Sequence, residues 1–316
     1  MKINVLKPVV KAFDPETYVL DEELKNAVEV AIALNQPILL TGEPGTGKTR
    51  LADKVAHELA KDPSQARFHN KPLAFFTKTT SAARDLFYTY DALGHFQAAN
   101  IKREETHKAP KTADFIDLQA LGLAIAKSNP ANLDRSKFKT LVGEEASSSV
   151  VLIDEIDKAP RDFTNDLLNE IERYEFFLKE EDNYPIRRGE EQRIVVIMTS
   201  NSEKNLPDAF LRRCVFYHIP FPTPEKLLQI AKAQLGESSP FTDQLLKDLI
   251  GRFGEVRAKA MRKPPATAEL IGWLRILELQ GILEGDAKKQ QKALRDNLSI
   301  LVKTKEDMDA VKAIFS

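Results

Sequence analysis

The sequence predicts an α/β fold, with a parallel sheet between helices, followed by a small all-helical domain. Three observations carry this expectation. Short, β-branched apolar runs alternate with helical patterns as far as residue 220. Those runs are almost continuously apolar instead of alternating, as expected of strands covered on both faces of a parallel sheet. Beyond Ile219-Pro220-Phe221-Pro222-Thr223-Pro224, where proline recurs at every second position, no strand pattern returns.

Taken in order, Pro37–Thr41, Leu73–Thr77, Val150–Asp154, Ile194–Met198 and Val215–Ile219 read as strands. Leu51, Val55 and Leu59, spaced i, i+4, i+8, place a helix after the first of them. Strand–helix alternation of this kind implies helices on both sheet faces. After the proline-rich break, residues 225–235, 243–260, 267–282 and 287–316 read as helices. Leu270, Ile271, Leu274, Leu277 and Ile282 make one apolar stripe, and Trp273 reads as core beside it. The expected division is an α/β domain over 1–220 and a helical domain over 221–316. Residues 99–113 and Lys179–Pro185 are polar and irregular and read as surface insertions in the first domain.

Composition narrows the class. Lys and Arg total 46 and Asp and Glu 47, a formal net charge of −1, so the global basic field of a nucleic-acid binder is absent. With 42% hydrophobic and 29% charged residues in a chain of 316, the sequence is an ordinary globular one, long enough to bury a sizeable core. The single cysteine, Cys214, excludes an internal disulfide or a multi-cysteine metal site and fits a reducing compartment. Charge and proline interrupt Met1–Pro8 before a signal-peptide core can build, and no apolar run reaches membrane-spanning length. The expectation is a soluble, cytoplasmic protein.

Four segments carry chemistry. Gly42-Glu43-Pro44-Gly45-Thr46-Gly47-Lys48-Thr49, with Arg50 following, matches G-x-x-x-x-G-K-[ST] directly between an expected strand and an expected helix. Glycines allow the tight turn that aims successive N–H groups and the helix N-terminus at a phosphate. Lys48 would neutralise the β- and γ-phosphates and the Thr49 hydroxyl would ligate Mg²⁺. The second segment, Val150–Glu155, ends a buried strand in two carboxylates, 106 residues downstream of Lys48. Asp154 can hold the magnesium water shell and Glu155 can act as general base toward a water. Asp157 reads as a helix cap or a surface charge. Third, Thr199-Ser200-Asn201 follows a strand, and Asn201 either orients water or simply forms a turn. Fourth, Asn205–Cys214 sets Arg212 and Arg213 at the end of a short helix, suited to charge on a transferring phosphoryl group or to a solvated ion-pairing face.

These elements, in this order, resemble the AAA+ ATPases over nearly the whole chain. Leu152–Lys158 and Asn205–Cys214 are similar to the MoxR branch, chaperone-like ATPases related to dynein and midasin modules. The resemblance implies ATP-driven assembly of a homo-oligomeric, usually hexameric, ring that remodels, activates or loads a cofactor into a partner protein, with a von Willebrand factor A-domain protein as the partner it suggests. It implies Walker A roles for Lys48 and Thr49, Walker B roles for Asp154 and Glu155, and a sensor 1 role for Asn201. Arg213 becomes the arginine finger given to the neighbouring subunit, with Arg212 the fallback. The two polar insertions correspond to pore-facing elements of that branch.

The resemblance also implies a sensor 2 arginine at the start of a lid helix, where this chain reads Lys263-Pro264-Pro265-Ala266-Thr267-Ala268-Glu269. Arg262, Lys263 and Arg275 are the candidate substitutes. The rival reading is a DNA-associated AAA+ NTPase of restriction or helicase-loader type, told apart by DNA-stimulated turnover. A GTP-using relative and a non-hydrolysing scaffold are further rivals, decided by nucleotide preference and by turnover in assembled rings. The five histidines (57, 69, 95, 107, 218) show no metal-ligand spacing and read as packed or surface residues. Phe87, Tyr88, Tyr90 and Phe96 read as core or interface aromatics, and Lys102, Arg103, Lys108 and Lys111 as a solvated loop.

Overall fold

The computed structural model describes residues 12–64, 67–105, 110–202, 206–281 and 287–312. Met1–Pro8, His107, Lys108, Asn205 and Ile282, which entered the sequence reading, lie outside them. The chain divides into two compact units: one holds Glu22–Thr41 and Lys48–His218, the other the segment ending at Asp21, Gly42–Gly47 and everything from Ile219 onward.

In the first unit, α1 (Glu22–Leu34) leads to β1 (Ile38–Gly42), α2 (Lys48–Lys61) and β2 (Leu73–Phe76). There follow β3 (Tyr88–Tyr90), α3 (Ala92–Glu105), β4 (Ile116–Leu118), α4 (Ala120–Ser128) and β5 (Ser149–Asp154). Then come α5 (Arg161–Arg173), β6 (Glu175–Leu178), β7 (Tyr184–Arg187), β8 (Ile194–Thr199), α6 (Asp208–Leu211) and β9 (Val215–Ile219). The five strands expected from sequence form one sheet in the order β2-β5-β8-β1-β9. Ile38 pairs with Ile197, Val151 with Val196 and Leu73 with Val151, all in parallel ladders.

Burial on both faces holds for β1 and β8 along their whole length and for β5 up to Asp154. The edge strands β2 and β9 differ, because every second side chain there is exposed, including Phe76 and Phe216. The core of this unit includes Leu39, Ile153, Met198, Leu121, Leu167 and Phe210.

Both expected insertions contain regular structure. Residues up to Glu105 continue α3, and Tyr184–Pro185 open β7, paired antiparallel with β6. The hairpin turns at Asp182 and Asn183, both at positive φ (+53° and +55°), with Tyr184 N–H donating to the Glu181 carbonyl at 2.9 Å. Short polar side chains tolerate that left-handed backbone, which is what a tight hairpin turn requires. Phe87 and Tyr88 are core residues, as expected, whereas Phe96 is 67% exposed.

The second unit adds α7 (Pro224–Leu235), α8 (Asp243–Lys259), α9 (Thr267–Leu279), α10 (Ala287–Asp296), α11 (Leu298–Leu301) and α12 (Lys305–Val311). Thr223 and Thr242 cap α7 and α8, each hydroxyl accepting an N–H three residues on, at 3.3 Å. Trp273, Leu270, Leu274 and Leu277 are fully buried with Phe253 and Leu301. Two helix boundaries correct the sequence reading. α9 ends at Leu279, and the expected helix over 287–316 breaks at Asn297 and again before Thr304, whose hydroxyl accepts Asp307 N–H at 3.1 Å and starts α12. Buried Asp307 in turn accepts the backbone N–H groups of Arg262 (3.1 Å) and Lys263 (3.0 Å).

Candidate functional site

β1 ends where α2 is about to begin, and Gly42–Gly47 makes the turn between them. Gly42, Gly45 and Gly47 sit at φ of +140°, +78° and +93°, backbone that L side chains rarely adopt. At Gly42 a Cβ would lie 2.5 Å from the Ile219 carbonyl oxygen, so a side chain has no room there. Thr46 Oγ1 donates to the Glu43 carbonyl at 2.9 Å, tying the loop to itself. Pro44 is exposed. Lys48, the first residue of α2, is 7% exposed. On the outer face of α2, Arg50 Nη1 lies 3.3 Å from Asp53 Oδ2.

The second residue of α2, Thr49, donates its Oγ1 hydroxyl to Asp154 Oδ1 at 2.9 Å. Asp154 is the last residue of β5, and Thr199, the last residue of the neighbouring central strand β8, donates to the same oxygen at 2.6 Å. Thr199 Oγ1 also accepts Glu155 N–H at 2.9 Å. Two adjacent parallel strands thereby deliver their polar ends together, because their registers place Ile153 opposite Met198. Thr77, just past β2, donates its N–H to the Asp154 carbonyl at 3.1 Å, and its buried hydroxyl has no partner among the described residues.

Glu155 adopts φ +56°, a left-handed conformation that costs a non-glycine residue about 1 kcal/mol or more and tends to occur where function demands it. Its side chain faces two donors. Lys158 Nζ binds Oε2, and Asn201 Nδ2 stands 3.5 Å from Oε1, at the outer limit of a hydrogen bond. The Lys158 pKa is raised by that hydrogen bond to Glu155. Asp157 is neither cap nor idle surface charge, since its Oδ1 accepts Asn201 N–H at 3.2 Å and so fixes the segment that carries Asn201.

The Thr49 hydroxyl and the Asp154 carboxylate form an oxygen-only donor pair, the kind that suits a hard divalent cation such as Mg²⁺. Asp154 uses Oδ1 for both hydrogen bonds from Thr49 and Thr199. The residues thus fit Mg²⁺, and the glycine loop with its buried lysine fits a polyphosphate. Among the described residues no group of three or more His, Cys, Asp or Glu side chains is placed to hold a metal by itself.

The profile of AAA, the ATPase family associated with various cellular activities, matches residues 38–223, more than half of the chain. The chain belongs to the AAA family. A search of curated proteins returned no match. Among solved structures, the chain is similar to domain III of the replication initiation protein DnaA from Thermotoga maritima, with TM-score 0.46 and 14% identity over 93% of this chain and 98% of that one. It is similar also to a katanin described in a study of katanin self-assembly, with TM-score 0.46 and 14% identity over 95% of this chain and 89% of that one.

In this AAA protein the paired arginines directly follow α6 (Asp208–Leu211). Arg212 is exposed, and Arg213 Nε lies 3.5 Å from Glu172 Oε1 of α5. Between them and β9, burial pushes the Cys214 thiol up to about 12, and its Sγ lies 3.3 Å from the Phe210 carbonyl, so it is an inert packing residue. His218 is exposed on edge strand β9, with Nδ1 hydrogen-bonded to Thr41 Oγ1 at 3.0 Å, the surface side of the packed-or-surface reading. Thr199, Lys158, Thr77 and Arg257 were missed by the sequence reading. Thr199 was visible as a polar residue at the tip of an apolar strand, whereas nothing local marked the other three. No helix among the described residues is long and apolar enough to cross a membrane.

Proposed function

We propose that this AAA ATPase binds ATP with Mg²⁺ at the Gly42–Thr49 loop, hydrolyses it to ADP and phosphate, and works as a MoxR-like ring that remodels or activates a partner protein. The observation that carries the reading is the convergence of Thr49 and Thr199 on Asp154 Oδ1 with Glu155 one residue on. Backbone N–H groups of Gly42–Gly47 would cradle the phosphates, with Glu43, Pro44, Thr46 and Arg50 flanking them, and Lys48 would neutralise the β- and γ-phosphates. Thr49 and Asp154 would hold Mg²⁺, whose charge offsets that of the polyphosphate. Glu155 accepts a proton from the attacking water, and Asn201 orients that water. Arg213, or failing it Arg212, stabilises the transferring phosphoryl group of the neighbouring subunit.

Ring assembly is supported by AAA membership and by the exposure of Arg213. A hexamer is the expected count, and a partner with a von Willebrand factor A domain the expected client. The test is Mg²⁺-dependent ATP turnover measured against native mass, with and without ATP, followed by identification of what co-purifies with a Glu155→Gln trap. Turnover that is stimulated by DNA, with no protein client retained, would replace the chaperone reading with the DNA-associated one.

A further inference from the structure

Glu43 poses an electrostatic problem. It is a carboxylate inside a loop whose backbone is shaped for phosphate, and like charges there repel. The structure answers it from the helical unit to which this loop belongs. Both Glu43 carboxylate oxygens meet Nη2 of Arg257, in the last turn of α8, at 2.9 and 2.7 Å. The Arg257 side chain is only 18% exposed and is held by other contacts as well. Nη1 donates to the Pro265 carbonyl at 2.7 Å, and Cζ sits 3.6 Å from the centroid of the Phe221 ring. Phe221 stacks in turn on the buried Phe253 at 6.4 Å. A guanidinium so fixed loses little freedom when it takes up a carboxylate.

The start of α9 touches the same loop but brings no cation. A Cβ on Gly45 would lie 3.0 Å from the Ala266 Cβ and 3.5 Å from the Ala268 Cβ. Of the arginines and lysine considered from sequence, Arg275 has its guanidinium engaged elsewhere, and Arg262 and Lys263 are exposed. Arg275 Nη2 donates to the Gln234 carbonyl at 3.1 Å, and the backbone of Arg262 and Lys263 is bound to Asp307.

We propose that Arg257 is a positioning residue for nucleotide binding: it neutralises Glu43 and pins the outer side of the loop to α8, so that the loop accepts a nucleoside polyphosphate. The proposal rests on reading Gly42–Thr49 as the nucleotide site. Without Arg257, the stranded carboxylate repels the phosphates. A single charge at roughly 10 Å and an effective dielectric of about 20 weakens binding by roughly tenfold for each phosphate charge it faces.

The experiment measures the affinity of a fluorescent, non-hydrolysable ATP analogue for the full chain at low and high salt. Arg257→Ala should bind at least roughly tenfold more weakly than the parent, with the deficit shrinking at high salt. Adding Glu43→Gln should recover most of the loss, because the stranded charge is gone. Arg257→Lys, which keeps charge but not the fixed fork, should fall between. Recovery by Glu43→Gln is the signature: a direct arginine–phosphate contact, or a purely structural arginine, gives none. Arg257→Ala affinity within twofold of the parent, or a loss that Glu43→Gln leaves in place, overturns the proposal. If Arg257→Ala does not fold, Arg257→Gln with and without Glu43→Gln makes the same comparison. A parallel Lys48→Ala variant separates the two levels, since undiminished binding there removes the nucleotide site itself, whatever Arg257 does.

Discussion

Lys158 reaches back three residues to bind the Oε2 atom of Glu155, so the carboxylate that would accept a proton from water already carries a cation of its own chain. With Asn201 near the other oxygen, Glu155 is held in place, and each of its carboxylate oxygens already faces a donor other than the attacking water. Lys158→Met should therefore raise kcat while leaving KM unchanged. The pair is half-exposed and such pairs are weak, so the gain is small, roughly two- to fivefold. A fall in kcat of tenfold or more would show instead that Lys158 holds Glu155 in its working position.

Lys48 and Glu155 should separate binding from chemistry. Lys48→Ala removes a buried cation from the mouth of the loop and should abolish binding of the ATP analogue. Glu155→Gln leaves Thr49 and Asp154 intact, so the analogue should bind as in the parent while turnover drops about 10²–10⁴-fold, the usual worth of a general base. Glu155→Gln turnover within twofold of the parent would remove Glu155 from that role.

His69 should make stability depend on pH. Its Nε2 lies 2.9 Å from Ser147 Oγ and 3.2 Å from Lys127 Nζ. Burial first, then the charges of Lys127 and Arg67, hold its pKa below the ordinary value of 6.5. The unfolded chain takes up that proton near pH 6.5 and the folded chain only at lower pH. The contribution is thus complete above about 6.5 and is lost as pH falls from there through the folded value. Thermal midpoints between pH 7.5 and 5 should decline more steeply for the parent than for His69→Gln. Parallel curves would assign the acid sensitivity to other groups.

The sheet was legible in the sequence because its central strands are buried on both faces and so carry unbroken apolar runs, as in Val150–Ile153 and Ile194–Met198. The loop and the two carboxylates were legible because the chemistry fixes their spacing. What escaped detection is non-local or lies at element ends. Arg257 and Glu43 are 214 positions apart, and no periodicity in α8 distinguishes a residue that reaches a distant loop from one that faces water. Asp182-Asn183 was read as part of a polar insertion, although two left-handed residues of that type are what close a hairpin. The break before α12 turned on Thr304, a cap hidden in an otherwise helical stretch.

Arg213 gives the most decisive prediction. It is 47% exposed, and its partner Glu172 is 63% exposed, so the contact between them is a surface pair and not a structural anchor. If Arg213 acts on the neighbouring subunit, Arg213→Ala should bind ATP normally and lose turnover by as much as about 10³–10⁵-fold. Glu172→Gln should retain at least parental turnover, because it releases the guanidinium without removing it. Mixing Arg213→Ala with Glu155→Gln subunits then decides between the two placements. At some mixed interfaces an intact Glu155 from the first variant meets an intact Arg213 from the second, and activity should reappear although each parent is inactive. An arginine acting within its own subunit cannot give that recovery, since every subunit still holds one broken component. The recovered rate should peak near equal amounts, where mixed interfaces are most frequent. A flat titration, with subunit exchange verified by mass, would transfer the role to Arg212 or leave Arg213 as no more than the surface partner of Glu172.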